Sequence, residues 1–233
     1  MDLNELLIIS FAAFLAIVVA LIVFNRIHAA QRTQQMQSAA HEIGFDFRGD
    51  IWNHQLNAQK LGTELFKRGT RRRFANLMVG NIAGFDTSLF DYSYTISAGE
   101  DSTTYTQTVV AFSQELWLPH FELRLEGFFD HITEVFVTRD IDFDFAPEFS
   151  RRYFLRGPDE AGIRKLFSHA LITSLDTLAA DEKWHIEGNV TTLIIYRSAK
   201  TIEVEELHSF LEKTSSIARD FFASPEGLSQ PVR

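Results

Sequence analysis

The feature that most constrains this chain is an apolar run close to its N-terminus. Residues 6–24 read LLIISFAAFLAIVVALIVF, in which Ser10 is the single polar residue. A helix of this length covers about 28 Å, close to the thickness of the hydrocarbon core of a bilayer. We therefore predict a transmembrane helix from Leu6 to Phe24, preceded by a short extracytoplasmic segment of residues 1–5.

The residues on either side of the run predict its fate and its direction. A cleaved signal peptide would carry basic residues before its apolar core, whereas Asp2 and Glu5 precede this one. Lys and Arg beside a span tend to stay in the cytoplasm, and here Arg26 and Arg32 follow the span. We predict an uncleaved, single-pass protein of the inner (cell) membrane, with its N-terminus outside and the remainder in the cytoplasm.

Charge and cysteine content exclude several classes of function. The chain has a net charge of −9 and no cysteine, and almost all of the excess negative charge lies beyond residue 43. An acidic domain is poorly suited to neutralising phosphates, so we expect no nucleic-acid partner. Without cysteine the chain has no disulfide, no thiolate zinc site and no thiol nucleophile.

Residues 25–43 contain good helix formers and no proline, which predicts that the membrane helix continues as a juxtamembrane stalk. Two interpretations of the stalk are open. It is either a solvated helix, or it pairs two copies of the chain through a thin apolar stripe into a homodimer. The stripe consists of Ile27, Met36, Ala39, Ala40 and Ile43.

Beyond the stalk, residues 44–223 predict one soluble α+β domain. Phe90, Tyr92 and Tyr94 alternate with polar residues, as in a half-buried strand. The segments ANLMVGN, TYTQTVVAF and FELRL read as its neighbours. We predict a four-stranded antiparallel meander with one buried face, and we expect Asp91, opposite the aromatic row, to be exposed.

The second half mixes strands and helices. IDFDF and RRYFLR read as short strands, and KWHIE and TTLIIYR as a hairpin around Gly188. Amphipathic helices are predicted over residues 157–180 and from Val204 to Phe222, before a disordered tail of residues 224–233. The predicted fold class is α+β: an N-terminal transmembrane helix, then a mainly antiparallel sheet covered by two amphipathic helices.

Three segments carry a resemblance to a known family: GTRRRFANLMVGNIAGFDTSLFDYSYT, YTQTVVAF and FSRRYFLRG. They resemble a widespread bacterial family of single-span, membrane-anchored proteins of unknown function. Its pattern is a basic run, then Phe-Asp-Tyr-x-Tyr and Gln-Thr-Val-Val strands, and later a strand rich in Arg and Tyr. The resemblance implies a membrane-tethered α+β domain, and it supplies no catalytic residue.

An acidic segment is one candidate site. In RDIDFDF, Asp140, Asp142 and Asp144 alternate with apolar residues, so a strand would place all three carboxylates on one face. Oxygen donors of this kind suit Mg²⁺ or Ca²⁺. An acidic, solvated edge strand explains the same pattern, because such charges discourage pairing between sheet edges.

A basic run is the other candidate site. FKRGTRRRF carries five cations in seven residues, which suits anionic headgroups or a phosphate-bearing ligand. A solvated loop leading into a strand explains the run equally well. The residues concerned are Lys67, Arg68, Arg71, Arg72 and Arg73.

The sequence lacks the zinc-binding, nucleotide-binding and hydrolase motifs that identify common enzymes. We therefore predict a non-enzymatic, membrane-anchored cytoplasmic interaction or scaffold domain without a cofactor, whose partners are the membrane and another protein. Two alternatives stay open at this stage. One is a divalent-metal hydrolase that uses the acidic segment, and the other is a lipid- or small-ligand-binding domain that uses the basic run.

Overall fold

A computed structural model of the chain describes residues 2–50, 62–99, 101–126, 140–178 and 183–223. These residues form six strands, five α-helices and two 3₁₀ turns. In chain order the elements are α1 (Leu3–Glu42), β1 (Asp46–Gly49), a 3₁₀ turn (Glu64–Lys67), β2 (Thr70–Ile82), β3 (Phe85–Ala98), β4 (Asp101–Leu125), α2 (Pro147–Arg152), β5 (Tyr153–Arg156), α3 (Glu160–Leu166), α4 (His169–Leu178), β6 (Trp184–Arg197), a second 3₁₀ turn (Val204–Glu206) and α5 (Leu207–Ala223).

One antiparallel sheet organises the described domain, and β4 is its longest strand. The order β1-β2-β3-β4 is an antiparallel path of neighbours, and β5 and β6 both pair with β4. The first half of β4 pairs with β3, while β6 pairs with β4 from Val109 to Leu123. Strand β5 pairs with the last residues of β4. The predicted α+β class with a mainly antiparallel sheet is confirmed.

Both faces of the sheet are buried, so the predicted single buried face is wrong. One face packs against helices in a large core that includes Phe112, Phe121, Phe167 and Phe221. The opposite face carries a smaller aromatic core, covered by the first 3₁₀ turn. Its largest members are Phe66, Phe90, Tyr92, Tyr94 and Tyr196.

Two strands are longer than the sequence predicts. The third and fourth strands of the predicted meander are one strand, β4, whose register with β6 shifts on both sides of Leu118. Pro119 lies in that interruption, where no ladder bond is required of it. The predicted hairpin around Gly188 is likewise one strand, β6, because Gly188 lies against the ring of Phe121, where a Cβ would come within 2.2 Å.

The remaining predicted elements agree with the structure only in part. Residues 140–145 form no strand, although Ile141 and Phe143 are buried as an alternating pattern requires. The helix predicted over residues 157–180 is two helices, α3 and α4. The predicted strand RRYFLR is β5 with α2 before it, and the final helix is α5 with its apolar residues buried. The predicted disordered tail lies outside the described residues.

Helix α1 is continuous over 40 residues. Its first part is long and apolar enough to cross a bilayer and is not buried inside the protein. Its last part differs, because Met36, Ala39 and Ala40 are buried in the large core. The predicted stalk is thus divided: Met36, Ala39 and Ala40 of the apolar stripe pack in the core of their own chain, whereas Ile27 is exposed.

Candidate functional site at the junction of helix and sheet

The side chain of Arg32 joins α1 to the centre of the sheet. Its Nε donates to Oδ2 of Asp91 at 2.7 Å, and its Nη2 donates to Oδ1 of Asp91 at 2.8 Å. Its Nη1 donates to the carbonyl oxygen of Ile202 at 3.1 Å. Two parallel bonds between a guanidinium and a carboxylate fix both distance and orientation.

The carboxylate of Asp91 is only 5% exposed, and its oxygens accept from two further donors. Asn76 Nδ2 donates to Oδ2 at 2.8 Å, and Thr108 Oγ1 donates to Oδ1 at 2.8 Å. Asn76 has a φ of 54° at a register shift between β2 and β3, a conformation that asparagine tolerates better than most residues. Four donors therefore hold one buried carboxylate.

Two more hydrogen bonds extend this network. Thr33 Oγ1 lies 2.8 Å from Oδ1 of Asn76, and the backbone N–H of Ile202 donates to Thr108 Oγ1 at 2.9 Å. We call Arg32, Asn76, Asp91 and Thr108 the helix–sheet junction. It connects α1 with β2, β3, β4 and the loop before α5.

The helix–sheet junction corrects two expectations. Asp91 does point away from the aromatic row, but α1 covers that face, so the predicted exposure is wrong. Arg32 was expected only as a flanking charge of the membrane span, and its guanidinium instead lies against the domain. Arg32 follows Phe24, the last residue of the apolar run, by eight positions, or about 12 Å of helix.

A second polar group lies on the opposite face of the sheet. Glu122 accepts from Arg68 Nη2 at 2.5 Å and from Arg156 Nε at 2.8 Å. Glu187, on β6, lies 3.6 Å from the same Arg68 Nη2. We call Arg68, Glu122, Arg156 and Glu187 the interior charge cluster, and both of its carboxylates are buried.

Neighbouring groups complete the environment of the cluster. Glu187 accepts from the backbone N–H of Leu65 at 2.9 Å and from the hydroxyl of Tyr196 at 2.7 Å. Burial raises the pKa of Glu187, and the nearby Arg68 opposes that rise. Burial also lowers the pKa of His185 to about 3, assisted by Arg68 and Arg124. The cluster therefore holds the segment before β2 against β4 and β6.

The residues of the predicted basic run lie in two different environments. Arg68 belongs to the interior charge cluster, whereas Lys67, Arg71, Arg72 and Arg73 are exposed. Lys67 pairs with Glu64 at 2.6 Å, and Arg73 pairs with Asp50 at 2.5 Å. Arg72 donates from Nε to the carbonyl oxygens of Arg68 and Gly69.

The three aspartates of the acidic segment also lie in different environments. Asp140 Oδ1 accepts from the backbone N–H of Leu155 at 2.8 Å, and burial raises the pKa of this carboxyl. Asp142 and Asp144 are exposed, and Arg164 Nη1 donates to the carbonyl oxygen of Asp142. Within the described ranges, no group of three or more His, Asp or Glu side chains is arranged to hold a metal ion. A metal site on these residues stays a prediction.

Comparison with known proteins adds evidence on the fold. No protein-family model and no curated protein matches the sequence. The crystal structure of the mycobacterial trehalose monomycolate transport factor A, TtfA, superposes with a TM-score of 0.60 at 12% identity, covering 86% of this chain and 98% of that chain. The two chains share a fold. This neighbour is a bacterial protein, and the more specific family expected from the sequence stays a prediction.

Proposed function

We propose that this chain is a membrane-anchored interaction protein. Its α+β domain is held in a fixed orientation at the cytoplasmic surface of the inner membrane, where it docks a protein partner in the same membrane. The observation that carries the proposal is the bidentate pair between Arg32 and Asp91 within a continuous α1.

An anchor that fixes the orientation of a domain does more than keep that domain near the membrane. A flexible linker is enough to keep a domain near a membrane. Here the anchor itself enters the large core through Met36, Ala39 and Ala40, and Arg32 sets its rotation about its own axis. Buried polar pairs of this kind are best known for specifying one arrangement. A domain with fixed height and rotation can present one surface to a neighbouring membrane protein.

The shared fold suggests the kind of assembly. TtfA is described as a trehalose monomycolate transport factor. By analogy we propose that this chain is an accessory component of a transport assembly. Fold likeness alone does not carry function, and the analogy is therefore secondary to the helix–sheet junction.

The polar groups support a non-enzymatic role. In the helix–sheet junction, Asp91 is saturated by donors from Arg32, Asn76 and Thr108. In the interior charge cluster, Glu122 and Glu187 accept from groups of the protein itself. Polar atoms used in this way stabilise the domain and leave little capacity to bind a substrate.

The test is affinity co-purification of the full chain from its native membranes, followed by mass spectrometry. One variant inserts about six Gly and Ser residues between Ile27 and His28, which keeps the helix–sheet junction but frees the domain from the membrane helix. The matched control places the same insertion after Gly99, in the β3–β4 turn.

We expect a stoichiometric partner with the natural chain and with the control, and its loss with the insertion in α1. A partner that is retained equally by all three proteins would contradict the need for fixed geometry. If even the natural chain yields no reproducible partner, the interaction role is wrong.

A further inference from the structure

The contacts of α1 set which end of the sheet faces the membrane. Arg32 and Thr33 meet Asp91 and Asn76, whereas Phe45, beyond the end of α1, lies against Gly80. Along β2, therefore, contact moves from Asn76 to Gly80 as the chain leaves the membrane. The start of β2 continues in the opposite direction, towards the apolar part of α1.

The strand register gives the distance from Asp91 to the start of β2. Arg73 pairs with Ser93 and Thr70 pairs with Thr95, so these positions lie two to four residues beyond Asp91 on β3. That is about 7–13 Å along the strand. Arg32 lies about 12 Å from the last apolar residue of the span, and each headgroup layer adds about 5–7 Å to the hydrocarbon core. The start of β2 therefore lies on the membrane side of the helix–sheet junction, in the direction of the headgroups.

Several exposed side chains at this end of the sheet are cationic. Arg71, Arg72 and Arg73 are exposed at the start of β2. Lys200 is exposed beside the junction, where its carbonyl oxygen accepts from the N–H of Thr108. Arg26 is exposed on α1 just after the apolar run. We call these five residues the membrane-facing basic surface.

Some acids lie at the same end of the sheet. Asp50 is paired with Arg73, Asp101 ends the β3–β4 hairpin, and Glu203 lies near enough to Arg32 to act on its charge. The basic residues outnumber these acids in a protein whose overall charge is −9. Among the described residues, this end of the sheet therefore carries more basic than acidic side chains.

We propose that the membrane-facing basic surface binds the anionic phospholipid headgroups of the bilayer that α1 crosses. This inference rests on the proposed membrane anchoring and extends it, since it makes lipid composition a determinant of how the domain sits. Each Lys or Arg close to an anionic surface is attracted to it, and salt weakens that attraction.

The test uses the full chain in nanodiscs made of phosphatidylcholine alone or with a minor fraction of phosphatidylglycerol. Because the chain has no cysteine, Ser102→Cys or Glu148→Cys introduces one unique site for a fluorescent label. Ser102 is in the β3–β4 hairpin, and Glu148 is in α2, beside the far end of β4. A headgroup spin label quenches fluorophores that lie close to it.

We expect strong quenching at residue 102 and little at residue 148, with quenching at 102 rising about twofold when phosphatidylglycerol is present. The triple variant R71Q/R72Q/R73Q should lose that rise, as should high salt. The matched variant R151Q/R152Q/R164Q removes the same charge from the far end and should keep it. Thermal unfolding of both triple variants shows that each is folded.

Two different failures are distinguishable. If the chain inserts into nanodiscs and residue 102 is quenched equally with and without anionic lipid, the headgroup proposal is wrong while the anchoring stands. The same holds if both triple variants lose the rise to the same extent. If the chain does not insert at all, the proposed membrane anchoring is wrong.

Discussion

The helix–sheet junction and the interior charge cluster use the same chemistry on opposite faces of one sheet, but with different surroundings. Each centres on an arginine held by carboxylates. Arg68 lies beside an aromatic core, whereas Arg32 is on a helix whose buried apolar contact comes mainly from Met36, Ala39 and Ala40. With so little apolar contact, α1 depends on its polar contacts for orientation. We therefore expect the cluster to matter most for folding, and the junction for the orientation of the folded domain relative to α1.

The largest effect should follow from Glu187→Ala in the interior charge cluster. It removes the acceptor for Leu65 and Tyr196 and leaves Arg68 buried with less compensating charge. Breaking a buried pair costs about 3–5 kcal/mol of unfolding free energy. Denaturant unfolding measures the loss, and Glu148→Ala, in an exposed pair, is the control. A loss below about 1 kcal/mol would show that the cluster is not needed for folding.

Arg32→Ala should come next, at about 2 kcal/mol, because its side chain is 22% exposed and Asp91 keeps two other donors. What distinguishes this variant from Glu187→Ala is the part of the chain that loosens. Limited proteolysis should cut residues 25–43 rapidly while the sheet stays folded. Arg26→Ala, an exposed cation on the same helix, should change neither property, and equal cleavage of both variants would remove the distinction between junction and cluster.

Acidification should weaken the side of the sheet that holds the interior charge cluster. Burial lowers the pKa of His185 from 6.5 to about 3. Between these values the unfolded chain binds a proton that the folded chain does not, so stability is full above pH 6.5 and falls towards pH 3. His185→Gln should flatten this loss, and His208→Gln, at an exposed site, should not. Unfolding curves of the natural chain and both variants between pH 7 and pH 5 measure this loss of stability.

The smallest effect should come from Glu64 on the first 3₁₀ turn. A hydrogen bond from His120, together with Lys67, lowers the pKa of Glu64 from 4.5 to about 2 against the cost of burial. Its stabilisation is complete above pH 4.5 and is lost as the pH falls towards 2. Glu64→Gln should reduce the loss of stability below pH 4.5 only. A change between pH 6.5 and pH 4.5 would contradict this assignment, since that interval belongs to His185.

The sequence predicts elements well where the pattern is local. The apolar run of α1, the alternation of Phe90, Tyr92 and Tyr94, and the stripe of α5 each follow from one stretch of chain. Element boundaries are less predictable where tertiary packing overrides turn signals. Gly188 marks close packing against Phe121 rather than a turn, and Pro119 lies in a long strand at a break in register.

Neither polar site could be found from spacing alone. Asp91 and Arg32 are 59 residues apart, and Arg68 and Glu122 are 54 apart. Alternation correctly places Asp91 opposite the aromatic row, but it does not reveal that α1 covers that face. An aspartate in the middle of an aromatic strand was the available signal, since an unpaired carboxylate there would be unfavourable if buried.

The most direct test of the account measures the distance between the membrane helix and the domain. Spin labels at His28→Cys and Glu148→Cys, in the full chain in nanodiscs, report the distance by double electron–electron resonance. The account predicts one narrow distribution for the natural junction and a broad one for Arg32→Gln. A broad distribution with Arg32 and Asp91 intact would contradict a domain held in fixed orientation at the membrane.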